Sequence, residues 1–128
     1  MRLDGTLFRY KELIKSPTNS TTLKFLALKR ISIMKQPAIY IITNTTNSVL
    51  YIGVTSNLVQ RIYQHKEKLI GGFSKQYNLF KLVYFELYDD MESAIQREKR
   101  LKVWQRSWKE RLIRNTNPKW KDLYQELL

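Results

Sequence analysis

The sequence predicts an α+β fold, a small three-stranded antiparallel sheet flanked by helices. Three observations carry this. Two short apolar runs rich in β-branched and aromatic residues, Ala38 to Ile42 and Val49 to Val54, flank the polar stretch Asn44 to Ser48. That is the pattern of a β-hairpin. A third alternating run, Lys81 to Tyr88, supplies one more strand. Amphipathic segments at helical spacing fill most of the remainder, and no internal repeat interrupts the order β-β-α-β-α-α-α.

In chain order, Pro37 can open the first strand, since a first residue need not donate to the ladder. Strand one runs from Ala38 to Thr43 and strand two from Val49 to Val54. Thr55, Ser56 or Asn57 caps a helix that reaches Leu69. Leu58 and Ile62 mark its inner side, with Tyr63, Lys66 and Leu69 as further candidates. Gly71-Gly72 ends it, because glycine accepts a left-handed backbone. Residues 71–79 form a loop. Strand three, Lys81 to Tyr88, groups Leu82, Tyr84, Glu86 and Tyr88 on one face and Val83, Phe85 and Leu87 on the other. Asp89-Asp90 cap a long helix to Trp104, with Met91, Ala94, Ile95, Leu101 and Trp104 as its inner stripe. A further helix starts at Ser107, with Glu110 completing a capping box. It stops at Asn117-Pro118, and a short helix over 120–128 closes the chain.

Residues 1–33 read differently. A breaker cluster, Ser16 to Thr22, separates two short basic amphipathic pieces. The segment can be a nucleic-acid-binding arm, a transit peptide, or the product of too early a start codon, with Met34 as the better start. A disordered or spurious extension over 1–33 is the expectation, followed by one domain over 34–128.

Composition narrows the function. A chain of 128 residues allows one domain with a modest core. With no cysteine, a disulfide framework, a thiolate zinc site and a cysteine nucleophile are excluded. The lone histidine, His65, argues against a multi-histidine metal site. The lack of cysteine suits a reducing cytoplasm, and no apolar run approaches the ~20 residues of a membrane span, so a cytoplasmic protein without membrane contact is expected. Lys and Arg number 23 against 11 Asp and Glu, a net charge of +12. An excess of this size points to a polyanionic partner, above all nucleic acid. A generic basic protein is the bland alternative.

The polar groups then fall into a pattern. Tyr40 lies in strand one and Tyr51 in strand two. Arg61 and His65 are four apart on the first helix, hence on one face. Glu98 lies on the second helix. The set A-I-Y at 38–40, Y-I-G at 51–53, R-x-x-x-H at 61–65 and a later helical glutamate resembles the GIY-YIG nuclease family over residues 37 to about 118, most closely its small stand-alone bacterial members.

The resemblance implies a DNA endonuclease that hydrolyses a phosphodiester with one divalent metal, Mg²⁺ or Mn²⁺. It implies Glu98 as metal ligand, Arg61 as phosphate holder, Tyr51 as acceptor or orienter of the attacking water, and Tyr40 as a positioning hydroxyl. His65 would relay a proton, and Gly53 would permit close backbone approach. The late asparagine that orders the site has two candidates, Asn115 and Asn117, of which Asn117 is preferred. The sequence departs from the family at Ala38, where the family name has glycine, and at Val54, where several relatives carry lysine. No targeting domain fits in the chain, so a protein partner for targeting is expected, as are structured or damaged DNA as substrate and a role in DNA repair.

Plainer readings stand beside these. Tyr40 and Tyr51 can pack across the hairpin, Arg61 and His65 can be surface residues, and Glu98 can pair Lys102 at i+4. The basic run that includes Lys99, Arg100, Lys102, Arg106 and Lys109 can be a solvated face. Its interleaving with Trp104 and Trp108 favours a phosphate-tracking surface instead. A metal-dependent endonuclease is the first reading. A non-catalytic nucleic-acid-binding module that keeps the fold is the second.

Overall fold

A computed structural model of the chain describes residues 36–128. The expectation for residues 1–33 lies outside the described residues. Strands β1 (Ala38–Thr43), β2 (Leu50–Thr55) and β3 (Lys81–Leu87) form one sheet in the order β2-β1-β3, antiparallel throughout. The helices are α1 (Leu58–Lys66), the short α2 (Phe73–Gln76), α3 (Met91–Lys102), α4 (Arg106–Thr116) and the short α5 (Tyr124–Leu127).

The central strand is buried along its whole length. Its unbroken apolar run serves both faces, as a strand covered on two sides must. Ala38, Tyr40 and Ile42 meet Leu58, Val59 and Ile62 of α1 and Leu127 of α5. Ile39 and Ile41 meet Ala94 and Leu101 of α3 and Ile113 of α4. The result is helix, sheet, helix. Each fully buried branched side chain contributes roughly 1.5–3 kcal/mol.

Local chemistry fixes the joints. Asn44 Oδ1 accepts the backbone N–H groups of Ser48 (2.9 Å) and Val49 (3.2 Å), closing the β1–β2 turn. Of the three cap candidates for α1, Asn57 does the work, accepting from Gln60 N at 3.1 Å. Asp90 caps α3 by accepting from Ser93 N at 2.7 Å.

Four expectations need correction. The first helix ends at Lys66, and the left-handed residue behind it is Lys68 (φ 57°). Gly72 (φ 86°) instead precedes α2, a helical turn inside the expected loop. Leu69 and Tyr63 are accordingly exposed. In β3 the strict alternation fails, because a bulge shifts the register between Ile41 and Ile42. Leu82 therefore shares its face with Phe85 and Leu87, and Val83 shares the other with Tyr84. Helix α4 begins at Arg106 behind Gln105, without a side-chain cap. Glu110 pairs with Arg106 and Arg114 rather than completing a capping box. Finally, the closing helix is confined to Tyr124–Leu127.

Candidate active site

Tyr40 and Tyr51 project from β1 and β2 on the face covered by α1. Helix α1 starts directly after β2, so its second turn brings His65 over both rings. The centroids of Tyr40, Tyr51 and His65 form a triangle with sides of 5.6, 6.0 and 6.4 Å. Gly53 pairs with Tyr40 across the ladder. A Cβ at 53 would overlap the end of the Tyr40 ring, only 2.8 Å from its Cε1. The glycine thus makes room for the phenol to lie across β2.

The Tyr40 hydroxyl and His65 Nε2 are 3.0 Å apart, and His65 Nδ1 is 3.0 Å from Ser74 Oγ. All three groups are buried. Burial, with the nearby Arg61 guanidinium, lowers the His65 pKa from 6.5 to about 4. The imidazole is therefore neutral at pH 7, with one ring nitrogen donating and the other accepting. Burial also raises the Tyr40 pKa to about 12, against the pull of Arg61. Tyr40 thus keeps its proton and can donate it. Ser74, His65 and Tyr40 make a continuous hydroxyl–imidazole–hydroxyl chain.

This chain carries a stability consequence. Unfolded His65 binds a proton below about 6.5, whereas the folded form resists until about 4. Stability is therefore complete above the upper value and lost as pH falls through the interval. Between pH 7.5 and 5 the unfolding free energy should drop by roughly 2 kcal/mol from this residue. Urea unfolding at the two pH values checks it. His65→Gln should remove most of the difference, and an unchanged difference would place its origin elsewhere.

On the other side of the sheet, α3 runs past β1 and β2. Its Glu98 carboxylate binds Lys102 Nζ at 2.7 Å. The Glu98 charge reaches Tyr40, and Lys102 lies close enough to Tyr51 for the two to interact. A groove of about 330 Å³ runs along the edge of β2, lined by Leu50, Tyr51, Ile52, Phe73, Lys102 and Lys109. Phe73 stacks on Tyr51 (6.2 Å, 25°) and touches Tyr77 (4.6 Å), and both outer rings are half-exposed.

A model of the GIY-YIG catalytic domain matches residues 36–111, more than half of the chain. The chain belongs to the GIY-YIG family. The match spans the hairpin, α1, β3 and α3 in order, and so includes the elements that carry Tyr40, Tyr51, Arg61, His65 and Glu98. A UPF0213 protein of Natronomonas pharaonis is 29% identical over 72 residues, 56% of this chain and 85% of the relative. No solved structure gives a significant match.

Against this GIY-YIG frame the candidate residues divide. Tyr40, Tyr51, Arg61 and His65 come together, and Glu98, Lys102 and Lys109 adjoin them across the β2 edge. Asn117 is not among them. Its amide donates to Val83 O (3.1 Å) and Lys121 O (2.8 Å) and accepts from Lys121 N (3.0 Å). It thereby bonds the Val83 carbonyl at the bulge and holds the C-terminal segment on β3. The alternative, Asn115, is exposed and lines a separate small groove with Trp104, Trp108, Arg111 and Leu112. Arg106 donates to the carbonyls of Ser48 (2.7 Å) and Asn47 (2.8 Å) and to Glu110 (2.7 Å), which fixes the hairpin turn to α4. Lys99 and Arg100 are exposed on α3, and Arg100 acts on Tyr88 rather than on the groove.

Sequence reading missed Ser74 and Phe73, which sit in the unforeseen turn α2, and it missed the partner of Arg97. Arg97 is no part of a solvated basic face. It binds the buried Glu86 through two hydrogen bonds of 3.0 Å and lies 5.2 Å from the Trp104 ring.

Proposed function

We propose that the chain is a metal-dependent DNA endonuclease that hydrolyses a phosphodiester bond. The observation that carries this reading is the convergence of Tyr40, Arg61 and His65 with Tyr51, which lines a groove that also holds Lys102 and Lys109. Among the described residues no three His, Cys, Asp or Glu side chains cluster. Glu98 would thus hold a metal with water as the remaining ligand set, which suits Mg²⁺ or Mn²⁺, ions that retain several waters. When bound, the metal would supply positive charge at the phosphate.

The chain's own residues would do the rest. Arg61 presents a planar fork that matches two phosphate oxygens. Tyr51, in the groove lining, would orient the water that attacks phosphorus as the P–O bond to the leaving strand breaks. The Tyr40 hydroxyl would donate to a phosphate oxygen, held in place by the neutral His65 and Ser74. Lys102 and Lys109 supply charge for the flanking phosphates. The half-exposed Phe73 and Tyr77 rings offer faces on which unpaired bases stack, which supports structured or damaged DNA as the substrate, and hence a role in repair.

One observation favours the second reading, a binding module without catalysis: Lys102 already neutralises Glu98. Incubation of the full chain with branched, nicked, single-stranded and duplex DNA, with Mg²⁺ or Mn²⁺, separates the two. The endonuclease reading expects strand scission that stops in EDTA and is absent in Glu98→Gln, which still binds DNA. Binding by both proteins without scission of any substrate would establish the module.

A further inference from the structure

Lys102 joins two places that the proposed chemistry keeps separate. Its Nζ lies 2.7 Å from Glu98 Oε2, yet its side chain also lines the Tyr51 groove. An ordinary i,i+4 pair on a helix surface leaves both partners in water. Here the Glu98 side chain is only 12% exposed and that of Lys102 is 50% exposed. The carboxylate is withdrawn, and the ammonium stands on its solvent side. A hydrated cation that reaches Glu98 must share the carboxylate with Lys102 or displace it.

The lysine stem has four rotatable carbons and a compact charge. Its head can leave Glu98 and enter the groove without backbone motion. A second cation waits there, since Lys109 lines the same groove and its Nζ lies 3.5 Å from the Lys102 carbonyl at the end of α3. Two ammonium groups in one groove beside Tyr51 form a place for a phosphate. A divalent ion and an ammonium on one carboxylate would repel each other.

We propose that Lys102 is a transferable cation. It occupies Glu98 while the metal is absent and moves to a backbone phosphate in the Tyr51 groove when the metal arrives. The proposal rests on Glu98 as the metal ligand. It makes metal and DNA assist each other, because each draws Lys102 or its partner into the arrangement the other needs, and such coupling is reciprocal.

Two measurements on the full chain test it. In the first, Mn²⁺ binding is followed by electron paramagnetic resonance. Lys102→Met should bind Mn²⁺ severalfold more tightly than the wild type, and Glu98→Gln should lose the site. If Glu98→Gln binds Mn²⁺ as the wild type does, the metal-ligand reading itself fails. If Glu98→Gln loses the ion but Lys102→Met binds it no more tightly, Glu98 remains the ligand and the transfer is overturned.

The second uses a labelled oligothymidine in EDTA, where nothing is cut. Lys102→Met should weaken binding less than about twofold while Glu98 is present, and about tenfold in the Glu98→Gln background, where the lysine is free. Lys102→Arg should keep the charge and bind as the wild type does. An equal loss in both backgrounds would overturn the proposal.

Discussion

Arg97→Met should lower the unfolding free energy by roughly 3–5 kcal/mol, the cost of leaving a buried charge without its partner. Glu86 is 2% exposed. Burial alone would raise its pKa, but two hydrogen bonds from Arg97 and one each from the Tyr84 and Tyr88 hydroxyls (2.5 and 2.6 Å) hold it below the usual carboxylate range. Without the guanidinium, the carboxylate keeps two phenols and no countercharge. Glu86→Leu combined with Arg97→Met should recover much of the loss, because it removes the orphaned charge as well. Urea unfolding of the two variants with constant m values decides the matter. A single-variant loss below about 1 kcal/mol would contradict it. Cleavage should also fall in the single variant, since Glu98 follows Arg97 on α3 and the pair anchors that helix to β3.

Gly53→Ala should cost roughly 1–3 kcal/mol of stability through overpacking and reduce cleavage about a hundredfold, by the sensitivity of catalysis to a displaced group. The backbone at Gly53 is not left-handed, since Gly72 is the glycine with positive φ among the described residues. Space is therefore the whole requirement. The added methyl overlaps the Tyr40 ring, which is itself buried and hemmed in by Tyr51 and His65. The ring cannot turn aside without breaking its 3.0 Å link to His65. In a Tyr40→Leu background the stability cost of Gly53→Ala should nearly vanish. An undiminished cost there would show that the clash lies elsewhere.

The parts of this molecule that were legible in the sequence are those decided locally. The Asn44–Ser48 turn and the Asn57 and Asp90 caps each depend on a side chain bonding backbone a few residues away, and the stop at Asn117 depends on the proline that follows it. The β1 run is legible too, because Ala38 to Ile42 are five consecutive buried apolar positions, closed by the buried Thr43. The end of α1 was misplaced because Lys68 takes the left-handed conformation that glycine usually supplies. The bulge in β3 breaks the two-residue period on which strand faces are read, and so Leu82 was assigned to the wrong side. The Arg97–Glu86 pair joins a helix to a strand, and no spacing rule announces it. Within the candidate site, Tyr40, Tyr51, Arg61 and His65 stood out through an ordered motif. Ser74 had no such signal, because a serine nine positions after a histidine reaches it only once the chain has turned back through α2.

The groove lies on the outer edge of β2, which among the described residues is paired on the β1 side alone. An unpaired edge is also where a second copy can add a strand. Lys102 and Lys109, at the rim, repel an approaching basic chain of net charge +12 while they attract a polyanion. On the proposed function, the same two charges would guard the edge strand and admit a polyanion. Substitutions that neutralise those two lysines should favour edge-to-edge association of the protein and, by the same contact, close the groove to DNA.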